Sequence, residues 1–167
     1  MAANEIDELH EYVRWMIEHP LTDSPAHAEF RRAMNRLRAL SGQPPRVDEA
    51  LELEREVSNA LLLIPDVAVT LPPLEPRRGR PDFVVTRNTR AVVVKALASP
   101  SVSRRQARRL GRELGEALPR YGASRALVAV PDQVYVSAAD SQPEPNVELL
   151  SLSRLPFVVD RALGGPA

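Results

Sequence analysis

Between Arg80 and Leu97 an acid and a cation stand at the two ends of what reads as a β-hairpin. Pro81-Asp82 opens one short apolar run, Val92-Val93-Val94-Lys95 closes the next, and a polar turn near Asn88 separates them. Lys95 is the only lysine in the chain. An ammonium is a compact point charge, whereas guanidinium is a planar fork, so one lysine in an arginine-writing sequence marks a place suited to a point charge. The plain alternatives are chance in an Arg-biased composition, a turn acid after proline for Asp82, and a snorkelling strand-end side chain for Lys95. The bend decides whether the two groups meet, because opposite residues of an antiparallel pair share a face. A two-residue turn at Asn88-Thr89 pairs Arg87 with Arg90 and hence Asp82 with Lys95. A three-residue turn pairs Asp82 with Val94 and sends Lys95 to the other face, so a shared face needs the first register or a bulge that restores it.

The surrounding elements follow from apolar spacing. Residues 4–19 read as a helix (Ile6, Leu9, Val13, Met16, Ile17), ended by His19-Pro20. Asp23-Ser24-Pro25 starts a second over 26–40, closed by Ser41-Gly42 and the stiff linker Gln43-Pro44-Pro45. A third helix over 46–64 buries Leu53, Val57, Leu61 and Ile64. Glu49 and Glu56 lie at the margin of that stripe, and Glu52 and Glu54 are expected further out. A strand over 67–71 and a loop over 72–80 with Arg77, Arg78 and Arg80 precede the hairpin. A fourth helix over 103–118, capped by Ser103, buries Ala107, Leu110 and Leu114 and carries Arg104, Arg105, Arg108, Arg109 and Arg112 outward. Its Gly111 and Gly115 are expected to let the backbone approach a sheet. Strands at 126–130, 134–136 and 147–152 and a closing helix at 154–163 complete the order. The division is an N-terminal helical hairpin (1–43), an α/β core (46–152) and a C-terminal helix and tail (153–167).

Chain-wide features bound the function. With 167 residues and no cysteine, the chain is long enough for a proper core, and disulfides, thiolate zinc sites and thiol nucleophiles are excluded. No apolar run reaches spanning length and the acidic N-terminus is no signal peptide, so no membrane and a cytoplasmic location are expected. Net charge is zero but segregated: residues 1–76 hold 14 acids and 7 bases, 77–125 hold 13 bases and 3 acids, and the remainder 5 acids and 2 bases. A basic middle between acidic flanks points to an anionic partner. His10, His19 and His27 share no face with an acid at ligand spacing and read as surface or packing residues.

An acid-bearing helix, a strand, a Pro-Asp strand, a strand ending in Lys, a helix and a strand resemble the PD-(D/E)xK nuclease superfamily, the restriction-endonuclease-like fold. The resemblance spans about residues 46–152 and rests on Glu56 or Glu49, Pro81-Asp82 and Val93-Val94-Lys95. It implies an αβββαβ core with a small mixed sheet and metal-dependent hydrolysis of DNA phosphodiester bonds. Asp82 would then ligate Mg²⁺, with Glu56 as an outer ligand, and Lys95 would be the catalytic cation. A divalent ion polarises the phosphate and lowers the pKa of bound water, and hard Mg²⁺ takes one or two carboxylates plus water. This chain departs from the pattern at the acid of the triplet, which is Val93. Either that acid has moved to the next helix, to Glu113 or Glu116, or metal chemistry is lost and a degenerate domain binds nucleic acid or protein.

For DNA, affinity would come from phosphate neutralisation by Arg77, Arg78, Arg80, Arg104, Arg105, Arg108 and Arg112, with steep salt dependence and little sequence preference. A third reading, from another class, makes the chain an assembly component. Its N-terminal hairpin would then dock a partner protein or a second copy, with Trp15 and Phe30 as anchors or, more simply, as core residues.

Overall fold

The computed structural model of the chain describes residues 2–19, 24–44, 46–73 and 79–164. Two N-terminal helices, α1 (Ala2–Glu18) and α2 (Ser24–Leu40), lie antiparallel. Arg36 Nη2 donates to Glu5 at 2.7 Å at one end of the pair, and Tyr12 donates to Glu29 at 2.5 Å nearer the other. Val13, Met16 and Ile17 of α1 face Phe30, Ala33, Met34 and Leu37 of α2, and all are buried. Burying each of the larger ones stabilises the fold by about 1.5–3 kcal/mol. Phe30 is therefore core, whereas Trp15 is 54% exposed and stacks on His19.

Helix α3 (Asp48–Leu62) leads into a five-stranded open sheet in the order β1-β2-β3-β4-β5. Strands β1 (Ala68–Thr70), β2 (Phe83–Arg87) and β3 (Arg90–Ala96) form an antiparallel meander. Helix α4 (Arg104–Ala117) carries the chain to β4 (Arg125–Val130), parallel to β3. Then β5 (Val147–Ser151) pairs parallel to β4, and α5 (Leu155–Ala162) follows. The fold is α/β: five helices on a mixed five-stranded sheet among the described residues.

The sheet is buried on both faces, as its parallel half requires. Val85, Val92, Val94, Leu127, Ala129 and Leu150 pack with α1, α2, α3 and α5 in one continuous core. On the other face Val93, Ala126, Val128, Val147 and Leu149 pack beneath Ala107 and Leu114 of α4. Ser103 caps α4, its hydroxyl accepting from the Gln106 N–H at 3.1 Å. Among the described residues no helix is long and apolar enough to cross a membrane.

Three expectations are corrected. Val134–Val136 is no strand: the β4–β5 connection is irregular, and the Val134 N–H closes a turn on Pro131 O at 2.9 Å. Gly111 makes its close approach to Pro143 of that connection rather than to the sheet, whereas Gly115 does face β5. Glu54, expected to point outward, is one of the most deeply buried residues, at 1% exposure. Leu51, Glu54, Ser58 and Leu61 recur at helical spacing and share the buried face.

Candidate functional site

Asp82 stands where β2 begins. The hairpin has the two-residue turn, with Asn88 at φ 55° and Arg87 opposite Arg90, and the ladder runs to Phe83 opposite Val94. There it bulges: the Asp82 N–H also donates to Val94 O, at 2.9 Å, so Asp82 and Phe83 both oppose Val94. The extra residue breaks the alternation and turns Asp82 toward α3, where its Oδ2 accepts from the Ala96 N–H at 2.7 Å. Lys95 alternates with Val94 and Ala96, so it leaves β3 on the Val93 side. The expected direct facing of Asp82 and Lys95 is thereby undone. The Lys95 ammonium lies 3.5 Å from Arg80 O and, among the described residues, forms no ion pair with either neighbouring carboxylate.

The acid that α3 brings to Asp82 is Glu54. One guanidinium joins the two: Arg46 Nη1 donates to Glu54 Oε1, and Nη2 lies 3.2 Å from Asp82 Oδ1. Helix α2 aims that guanidinium. Asn35 clamps the Arg46 backbone, its Oδ1 accepting from Arg46 N–H at 2.9 Å and its Nδ2 donating to Arg46 O at 3.2 Å. Arg38, 8% exposed, holds the preceding linker through Nε to Pro44 O at 2.8 Å. Arg80 is half-buried and tied to Pro72 O and Pro73 O at 2.7 and 3.0 Å. Four cations thus surround two carboxylates.

Burial pushes the Glu54 carboxyl up to about 8, and the charge of Asp82 adds to the rise against Arg46, Lys95 and Arg38. Burial would raise Asp82 too, but Arg46, Lys95, Arg80 and the Ala96 N–H outweigh it and hold Asp82 at about 2. Arg46 is raised, chiefly by Asp82, whereas burial lowers Arg38 and Arg80. At neutral pH Asp82 keeps the charge and Glu54 the proton.

Other residues singled out from sequence lie elsewhere. Glu56 is exposed near Arg55 and lines a cleft of about 760 Å³ with Asp48, Glu49, Glu52 and Asp132. Glu113 sits on α4 in a groove with Arg112, Glu116 and Arg120, and its backbone carbonyl abuts Gly79. Val93 is buried under α4. Among the described residues, Arg104, Arg105, Arg108, Arg109 and Arg112 alone line a groove of about 560 Å³. Arg77 and Arg78 lie outside the described residues. Of the residues named from sequence, Asp82, Lys95 and Arg80 come together; Glu56 and Glu113 do not join them.

A hard divalent ion needs carboxylate oxygens open to it and to its waters. Here the two carboxylates are 1% and 3% exposed, and Arg46 occupies the space where both converge. Among the described residues no three acid or histidine side chains cluster at metal-holding distances. As arranged, the pair does not fit Mg²⁺. No protein-family model matches the chain, and no curated protein matches it in sequence.

Proposed function

We propose that the chain is a catalytically degenerate PD-(D/E)xK-like domain that binds a nucleic-acid backbone through α4. Its helix, antiparallel three-strand meander, helix and parallel fourth strand agree with the core order of that fold. The replacement of the triplet acid by Val93 and the guanidinium between Glu54 and Asp82 favour binding over hydrolysis.

The observation that carries the reading is the groove on α4 lined by five arginines. Among the described residues only Arg104 of its five arginines has an acid partner, Asp140 at 3.5 Å. Arg104 and Arg105 stand in the first turn, which has no acid. The helix macrodipole disfavours cations there and favours an anion, so the placement weakens the free helix and suits a phosphate-bearing partner.

Fluorescence anisotropy with a labelled DNA duplex tests this. Binding is expected in EDTA, with log K against log salt sloping at about −3 to −4 for the four unpaired arginines, and Arg108→Ala/Arg112→Ala should flatten that slope by about 2. Absence of binding at low salt defeats the proposal. Mg²⁺- or Mn²⁺-dependent cleavage that stops in Asp82→Asn restores the active-nuclease reading in its place.

A further inference from the structure

Arg46 has a stronger claim on the carboxylate pair than an ordinary ion-pair partner. We propose that its guanidinium is the resident cation of this site, standing where a divalent ion would bridge Glu54 and Asp82. The pair would then accept such an ion once the guanidinium is removed. The inference does not depend on nucleic-acid binding by α4.

Four observations lead there. The two acids come from different elements, α3 and β2, and each turns one oxygen to the same group: Oε1 of Glu54 to Nη1, and Oδ1 of Asp82 to Nη2. The aim of Asp82 is set independently of Arg46, because its other oxygen is held by the Ala96 N–H at 2.7 Å. Glu54 is fixed by its place in the buried stripe of α3. Arg46 enters from outside both elements, on a linker whose backbone Asn35 holds at two points. Removing the guanidinium therefore leaves the two acid groups still converging on a space that has lost the one cation bonded to both. Having lost its bonded partner, the pair gains from a new cation, and two carboxylates completed by water are what a hard divalent ion accepts, Glu54 releasing its proton as the ion binds.

A merely structural ion pair makes a different prediction, because its loss cannot be repaired by metal. The probe is Mn²⁺ with the full chain, read by thermal melting followed by circular dichroism. The wild-type Tm is expected not to move in about 1 mM Mn²⁺. Arg46→Met, which keeps bulk and removes charge, should melt about 10 °C lower. About 1 mM Mn²⁺ should return half or more of that loss, and Arg46→Met/Asp82→Asn should show no return. A folded Arg46→Met whose Tm ignores Mn²⁺ overturns the proposal, as does a wild-type chain that Mn²⁺ already stabilises through Asp82. Should Arg46→Met be unfolded in metal-free buffer, recovery of the native spectrum on adding Mn²⁺ supports the proposal, and failure to recover overturns it.

Discussion

Glu54 and Asp82 share one guanidinium but divide a single charge between them, and that division has a sign in the pH dependence of stability. Asp82, held at about 2, contributes stability that is complete above its unfolded value of 3.8 and fades as pH falls toward 2. Glu54 works the other way. Its native value of about 8 lies above the unfolded 4.5, so between those pH values the unfolded chain has released a proton that the native chain retains. From these two groups stability peaks near pH 4 and falls as pH rises through neutrality, by an amount on the order of a few kcal/mol. Urea-unfolding midpoints at intervals from about pH 5 to 8 should decline for the wild type. In Glu54→Gln, which keeps an oxygen acceptor for Arg46 and cannot ionise, the decline should vanish, leaving only the rise that His10 contributes because burial holds its imidazole below the ordinary value. A level wild-type profile would mean that Glu54 is ionised in the fold.

At the scale of elements, the two glycines of α4 separate a packing constraint from a propensity. A Cβ on Gly111 would come within 2.7 Å of Pro143 Cγ and 2.9 Å of its Cβ, so Gly111→Ala must push the β4–β5 connection off the helix. A net loss of about 1 kcal/mol or more is expected, overpacking exceeding the helix-propensity gain. On Gly115 the nearest new contact is Val147 Cγ2 at 3.8 Å, ordinary packing distance. Gly115→Ala should therefore raise stability by about 0.5–1 kcal/mol. Thermal melts of the pair give opposite signs if the connection lies as described, and two gains would show that it yields freely.

The same scale explains what could be read in advance. The five helices and five of the six expected strands follow apolar spacing, because each buries a face against the sheet or its neighbours. Glu54 was legible but misread: residue type sends a glutamate outward, whereas its spacing from Leu51, Ser58 and Leu61 sends it in. The β2 bulge left no mark, since neither residue type tells that Asp82 and Phe83 both oppose Val94. Nor did Arg46, whose role rests on Asn35 and on Asp82, residues brought to it by the tertiary fold.

For the whole molecule the question is whether the N-terminal hairpin is an appendage or part of the structure, because this decides how a partner-docking role can be tested. Deleting residues 1–43 would remove Val13, Met16, Ile17, Phe30, Met34 and Leu37 from a core continuous with Val85 and Val92 of the sheet. It would also remove Asn35, which aims Arg46, and Arg38, which holds the linker. The remaining chain should lose its cooperative melt and bind a hydrophobic dye, so loss of a partner on deletion would report unfolding rather than docking. A surface substitution isolates docking instead. Trp15 is 54% exposed and stacks on His19, so Trp15→Ala should change stability by no more than about 0.5 kcal/mol. Phe30→Ala, at 1% exposure, should cost about 3–5 kcal/mol. If Trp15→Ala keeps its melt yet loses a partner protein or self-association in sedimentation, α1 is a docking helix. If residues 44–167 alone melt cooperatively at the wild-type temperature, the hairpin is dispensable to the core and Arg46 needs no aim from α2.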